Sequence, residues 1–190
     1  MEYGTTCFFI CHRDAGECVL PALMQAVERL INDCGVTDFV VGHYGRFDSL
    51  AARVVKEAKQ RYPEVTLTML LPYHPFDRPI PVPKGYDSTF YPPGMEHVPK
   101  RYAIVRANRY MVEHSGYLIA YTCHAASNSR ELVEYALRRE KKGLIHVQNI
   151  ADEVNEENRP ETAAKDTQFR MCPFPSCQHM VQCIISGDPT

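Results

Sequence analysis

The chain has 190 residues, 45% of them hydrophobic and 23% charged, which is ordinary globular composition and enough length to bury a core. A formal net charge of -2 gives no global electrostatic drive toward nucleic acid or anionic membrane. The first residues, Met1-Glu2-Tyr3-Gly4-Thr5-Thr6, carry no basic segment, and the first apolar run, 7–11, is too short for a signal core or a spanning helix, so a cytoplasmic protein is expected. Of the eight cysteines, Cys7, Cys11, Cys18, Cys34 and Cys123 lie in or beside apolar stretches. In a reducing compartment they read as small buried hydrophobes rather than a disulfide framework.

Residues 6–10 form a continuous apolar run, the pattern of a strand buried on both faces. A polar turn at Cys11-His12-Arg13-Asp14 leads into a helix expected over 17–33, where Val19, Leu23, Val27, Leu30 and Ile31 recur at spacings of three and four. Gly35 is placed to cap it. A second strand is expected at 38–41 and a second helix at 47–61, ended by Tyr62-Pro63. The third strand, 65–71, stops at Pro72.

Between the second strand and second helix lies Gly42-His43-Tyr44-Gly45-Arg46-Phe47-Asp48-Ser49-Leu50-Ala51. A strand, a glycine-bearing turn and a helix make an anion site: glycine permits the turn and close backbone approach, and the helix offers free N–H groups and the positive end of its dipole.

Residues 72–100 hold eight of the fourteen prolines and several aromatics, which marks a functional lid or a locally irregular segment. A helix then spans 101–114, with Ile104, Val105, Asn108, Met111 and Val112 on one broad face. Strands at 117–121 and 144–147 bracket a helix at 129–142. Strands alternating with helices predict an α/β fold: a Rossmann-like three-layer sandwich with a mainly parallel five-stranded sheet and helices on both faces. The domain so defined runs over 1–150. Residues 151–190 read as a polar linker followed by a cysteine-containing tail.

Three features stand together in order: Phe8-Phe9-Ile10-Cys11-His12-Arg13, the glycine turn 42–51, and Arg106-Ala107-Asn108-Arg109-Tyr110-Met111-Val112-Glu113-His114-Ser115 followed by a strand and the helix with Glu131-Leu132-Val133-Glu134-Tyr135-Ala136. The set resembles the YspA/YpsA-type branch of the SLOG superfamily, relatives of the Lonely Guy (LOG) proteins, over roughly residues 5 to 150. That family shows Gly-His-Arg after its first strand, Gly-Gly-x-x-Gly-Phe-Asp after its second, an Arg-Asn-x-x-Met-Val-like helix and a Gly-Gly-Thr turn. The resemblance implies a Rossmann-like fold that binds nucleotides or nucleotide-derived ligands. Some LOG relatives cleave the N-glycosidic bond of nucleoside 5′-monophosphates, and others are proposed sensors. Dimers are common among them, so a homodimer, with the 101–114 helix at its interface, is what the resemblance implies here. The sequence departs from the pattern at Cys11 and His43, where the family has glycine, and at Ser127-Asn128-Ser129, which stands for Gly-Gly-Thr.

The expected ligand-binding residues sit on three turns and one helix. His12 and Arg13 follow the first strand, at the edge where open α/β sheets bind ligands. Gly42, His43, Gly45, Arg46 and Asp48 form the second wall; His43 stacks on a base or closes the site, and Asp48 meets a ribose hydroxyl or caps the helix. Asn108 is the polar residue in an apolar stripe, and Arg109 either faces the site or belongs to a solvated basic face. Ser127, Asn128 and Ser129 form the third wall. Glu131 and Glu134 are the weak catalytic candidates, for a LOG-like carboxylate that stabilises an oxocarbenium-like transition state or activates water. In the tail, Cys172, Cys177, His179 and Cys183 offer four zinc-capable side chains, but in a spacing that matches no common knuckle, so no metal is expected.

The sequence thus predicts a non-catalytic or weakly catalytic binder of a nucleotide-type small molecule, without nucleic-acid or membrane partners. The two rival readings are a nucleoside 5′-monophosphate phosphoribohydrolase and an interaction protein whose ligand site has degenerated.

Overall fold

The computed structural model describes residues 3–11, 15–77, 79–122, 128–151 and 153–154, all within the unit Met1–Asn158. Its strands are β1 (Thr6–Cys11), β2 (Asp38–Val41), β3 (Thr66–Leu70), β4 (Ser88–Phe90), β5 (Tyr117–Tyr121) and β6 (His146–Asn149). Its helices are α1 (Leu20–Cys34), α2 (Arg46–Ala58), α3 (Ala103–His114) and α4 (Asn128–Glu140). The strands form one six-stranded sheet in the order β4-β3-β2-β1-β5-β6, with each neighbouring pair parallel.

The period-two alternation of β1 distributes its side chains between two cores. Cys7 and Phe9 join α1 and α2 on one face. Phe8 and Ile10 join α3 and α4 on the other. This is why the run 6–10 carries no polar alternation: both faces are covered. The result is the three-layer α/β architecture that the sequence pattern predicts. Gly35 ends α1 as expected, at φ 64° in the left-handed region, where its N–H donates to the Leu30 carbonyl.

The chain leaves β1 in one direction through β2, β3 and β4, then returns by α3 to β5 on the other side of β1. The order therefore reverses between β1 and β5. Flanking connections diverge at that point and leave a crevice at the carboxyl ends of the strands.

Three features differ from the sequence reading. The sheet has six strands rather than five, because β4 lies inside the proline-rich segment. It is three residues long with exposed or half-buried side chains, so no periodicity announces it. It is held by what surrounds it. Asp87, just before it, accepts the Leu67 N–H at 2.7 Å and the Lys59 ammonium at 2.5 and 2.6 Å. Thr68 and Ser88 hydroxyls pair at 2.7 Å.

The last strand begins two residues later than the pattern at 144–147 suggests. Leu144 is 51% exposed, and its N–H still turns back to the Arg139 carbonyl as part of the helix exit. Packing also continues past residue 150, since Ile150 and Val154 are buried in the core under α1 and α2. Among the described residues no helix is long and apolar enough to cross a membrane.

Candidate functional site

The turn between β2 and α2 is built around Asp48. Gly45 is the N-cap of α2 and has no side chain to cap with. Asp48, three residues on, supplies the missing acceptor. Its Oδ2 receives the N–H of Gly45 at 2.9 Å and that of Tyr44 at 3.0 Å. The carboxylate lies so close to Gly42 that a Cβ there would come within 2.8 Å of Oδ2. Gly42 is therefore required by close approach. Burial pushes the Asp48 carboxyl above its ordinary value, against the opposing pull of the Gly45 and Tyr44 N–H groups and the His43 charge. Of the two roles expected for Asp48, the cap is the one its geometry shows. The turn's amides serve an internal anion, where an incoming phosphate was the expected guest.

A cleft of about 260 Å³ opens above this turn, at the carboxyl edge of β1 and β2. Its floor is the end of β1, including Ile10 and Cys11, with Leu70 of β3. One wall is Gly42, His43, Tyr44, Gly45 and Asp48. The facing wall comes from α3, with Ile104 and Asn108, and from Arg101 in the short 3-10 turn Lys100–Tyr102 just ahead of it. The start of α4 closes it with Ser129 and Leu132. The Ser129 hydroxyl donates to the Cys11 carbonyl at 2.8 Å, which ties the start of α4 to the end of β1.

His43 lines the cleft but is exposed. Its ring stands edge-on to Tyr44, centroids 5.5 Å apart at 76°. Tyr44 in turn meets Tyr73 edge-on at 5.9 Å and 84°. The imidazole thus stands at the mouth on an aromatic support and leaves the cleft open.

The structure brings Gly42, His43, Gly45, Asp48, Asn108 and Ser129 together around one cavity. Other expected residues fall elsewhere. Arg46 is exposed on the first turn of α2 and does not line the cleft. Arg109 donates from Nε to Glu113 at 3.0 Å and lies over the Tyr135 ring at 4.3 Å, so it belongs to the α3–α4 contact. Glu131 is exposed, and Glu134 pairs with Arg130 at 3.0 Å along α4. Neither glutamate lines the cleft, whose one carboxylate among the described residues is Asp48. His12, Arg13, Ser127 and the Asn128 side chain lie outside the described residues, as do Cys172, Cys177, His179 and Cys183. Among the described residues no three His, Cys, Asp or Glu side chains group as metal ligands.

Sequence reasoning missed Arg101, the cation on the α3 wall. The signal available was the basic pair Lys100-Arg101 immediately before the apolar stripe. It resembles any solvated helix start, which is why it was passed over. Among the described residues, the arrangement offers flat aromatic faces, one amide, one guanidinium, the Ser129 hydroxyl and one half-buried carboxylate around an apolar floor. A doubly wound α/β protein with a carboxyl-edge cleft is the class these features define. No family model and no curated protein matches the chain.

Proposed function

We propose that the protein binds a nucleotide or nucleotide-derived ligand in this cleft and performs no chemistry on it, as a divergent relative of the SLOG proteins that its motifs resemble. The observation that carries the reading is the open cleft at the carboxyl edge, next to the point where the strand order reverses. Its polar groups are few and convergent, as in small-molecule sites generally. At about 260 Å³ it suits a nucleoside-sized group, since drug-sized ligands occupy roughly 300–1,000 Å³. His43 and Tyr44 supply faces for a base. The Asn108 amide both donates and accepts, which matches a base edge. Asp48 places negative charge near the glycine turn, so an anionic group is directed away from that turn and toward Arg101.

Two observations favour binding over the rival readings. Glycosidic cleavage needs a carboxylate beside the anomeric carbon; Glu131 and Glu134 do not line the cleft, and Asp48, which does, is engaged by the Tyr44 and Gly45 N–H groups. A degenerate site would be filled by side chains such as His43 and Tyr44, whereas His43 is exposed, Tyr44 is half-buried in the wall, and a cavity of about 260 Å³ remains between them and α3. The test is a thermal-shift screen of nucleosides, nucleotides and ADP-ribose against the full chain, with chromatography of each mixture for released base. Stabilisation without free base is expected. Release of base would establish the hydrolase reading, and no stabilisation by any compound would leave the interaction protein.

A further inference from the structure

A second cavity, of about 510 Å³, opens between the proline-rich segment and the start of α3. Pro72 lines both it and the first cleft. Its walls include Tyr73, His74 and Tyr91. The His74 and Tyr91 rings meet at 85° with centroids 5.2 Å apart, so they form an aromatic corner. Tyr73 is held in place by its hydroxyl, which donates to the Lys100 carbonyl at 3.4 Å, and by its edge-on contact with Tyr44.

Among the described residues the charged lining is Asp77, Glu96 and Lys100. Lys100 Nζ sits 3.9 Å from Asp77 Oδ2, an ion pair too long for a hydrogen bond. The basic neighbour of Glu96 is His97 Nε2 at 3.7 Å, which balances it only when protonated. Partial burial raises the Tyr91 phenol first, and the charges of Glu96 and Asp77 raise it further, so both carboxylates bear on that wall. Aromatic faces carry negative quadrupole charge and attract cations, above all where carboxylates lie close by. The same lining disfavours an anion. A purely apolar guest would desolvate the carboxylates without pairing them.

We propose that this second cavity binds a small organic cation, with its ammonium group seated against Tyr91 and His74 and with Glu96 as counter-ion. The volume lies within the usual range for small-molecule sites, roughly 300–1,000 Å³. The two lining sets share Pro72 but no charged or aromatic residue, so the cation meets none of the groups assigned to the first ligand.

The test is calorimetric titration of the full chain at neutral pH and low, matched ionic strength with choline and with 3,3-dimethylbutan-1-ol, its uncharged isostere. Saturable choline binding at least about threefold tighter than that of the alcohol is expected, from a cation–aromatic contact at a partly exposed site. Tyr91→Leu and Glu96→Gln should each weaken choline binding about threefold, while Tyr91→Phe, which keeps the ring, should stay within about 1.5-fold. Equal affinity for choline and the alcohol, or no saturable choline binding, would overturn the proposal. That comparison uses the unaltered chain and so decides the matter even where Tyr91→Leu fails to fold.

Discussion

Asp48 sits where an α/β nucleotide site ordinarily receives a phosphate, and it accepts the Tyr44 and Gly45 N–H groups itself. Asp48→Ala leaves both donors unsatisfied and should cost about 1–2 kcal/mol of unfolding free energy in denaturant titration. Asp48→Asn keeps an acceptor and should cost much less. The pH dependence has a definite sign. The folded carboxyl has a raised pKa, so between the ordinary carboxylate value and the raised one the folded state holds more protons than the unfolded state. This group's contribution to stability therefore falls as pH rises through that window. Asp48→Asn should remove that slope, which denaturant midpoints measured across acidic pH would show. Gly42→Ala tests the close approach: its methyl would meet a carboxylate fixed by two hydrogen bonds, and a loss of about 1–3 kcal/mol is expected. At this scale the sequence was half legible. Glycine spacing marks the turn, but the same aspartate suits a cap and a ribose contact, and only the path of the two N–H groups separates them. Arg101 was illegible because a cation before a helix has a solvated role as its ordinary one.

The edge strand β4 shows an element that depends on tertiary contacts rather than on its own sequence. The inner strands were readable because continuous apolar runs, such as that of β2, follow from burial on both faces. Three residues that bury little leave no such trace. Asp87 holds the approach to β4 by bridging Lys59 and the Leu67 N–H. Burial raises its carboxyl, but the Lys59 and Leu67 hydrogen bonds and the Lys59 charge outweigh it, and the net shift is downward. A lowered folded pKa means that the clamp's contribution is present above the unfolded value and is lost as pH falls through the folded one. Asp87→Asn should free β4 locally. Hydrogen exchange at Leu71, whose N–H donates to the Phe90 carbonyl at 2.8 Å, should accelerate at least about tenfold while amides of β1 keep their protection. Unchanged exchange at Leu71 would mean that the parallel pairing alone holds the strand.

Across the whole molecule, the sheet order places the site. The strand order reverses between β1 and β5, and the cleft lies beside that reversal, with walls from α3, α4 and the β2–α2 turn. The alternation of strands and helices made the layers legible. It could not say which turns converge, because Arg46, Glu131 and Glu134 stand beside the motif turns in sequence and still lie off the cleft. The central claim is that this cleft binds a nucleotide-type ligand through its α3 wall. Isothermal titration of adenosine, AMP and ADP-ribose into the full chain, its Asn108→Ala variant and its Arg101→Ala variant tests it most directly. Saturable one-to-one binding of at least one of these ligands is predicted. Asn108→Ala should weaken it about tenfold, the worth of one to two buried hydrogen bonds, and Arg101→Ala should weaken the phosphate-bearing ligands more than adenosine. Binding that is indifferent to both substitutions, or no binding of any of the ligands, would contradict the account.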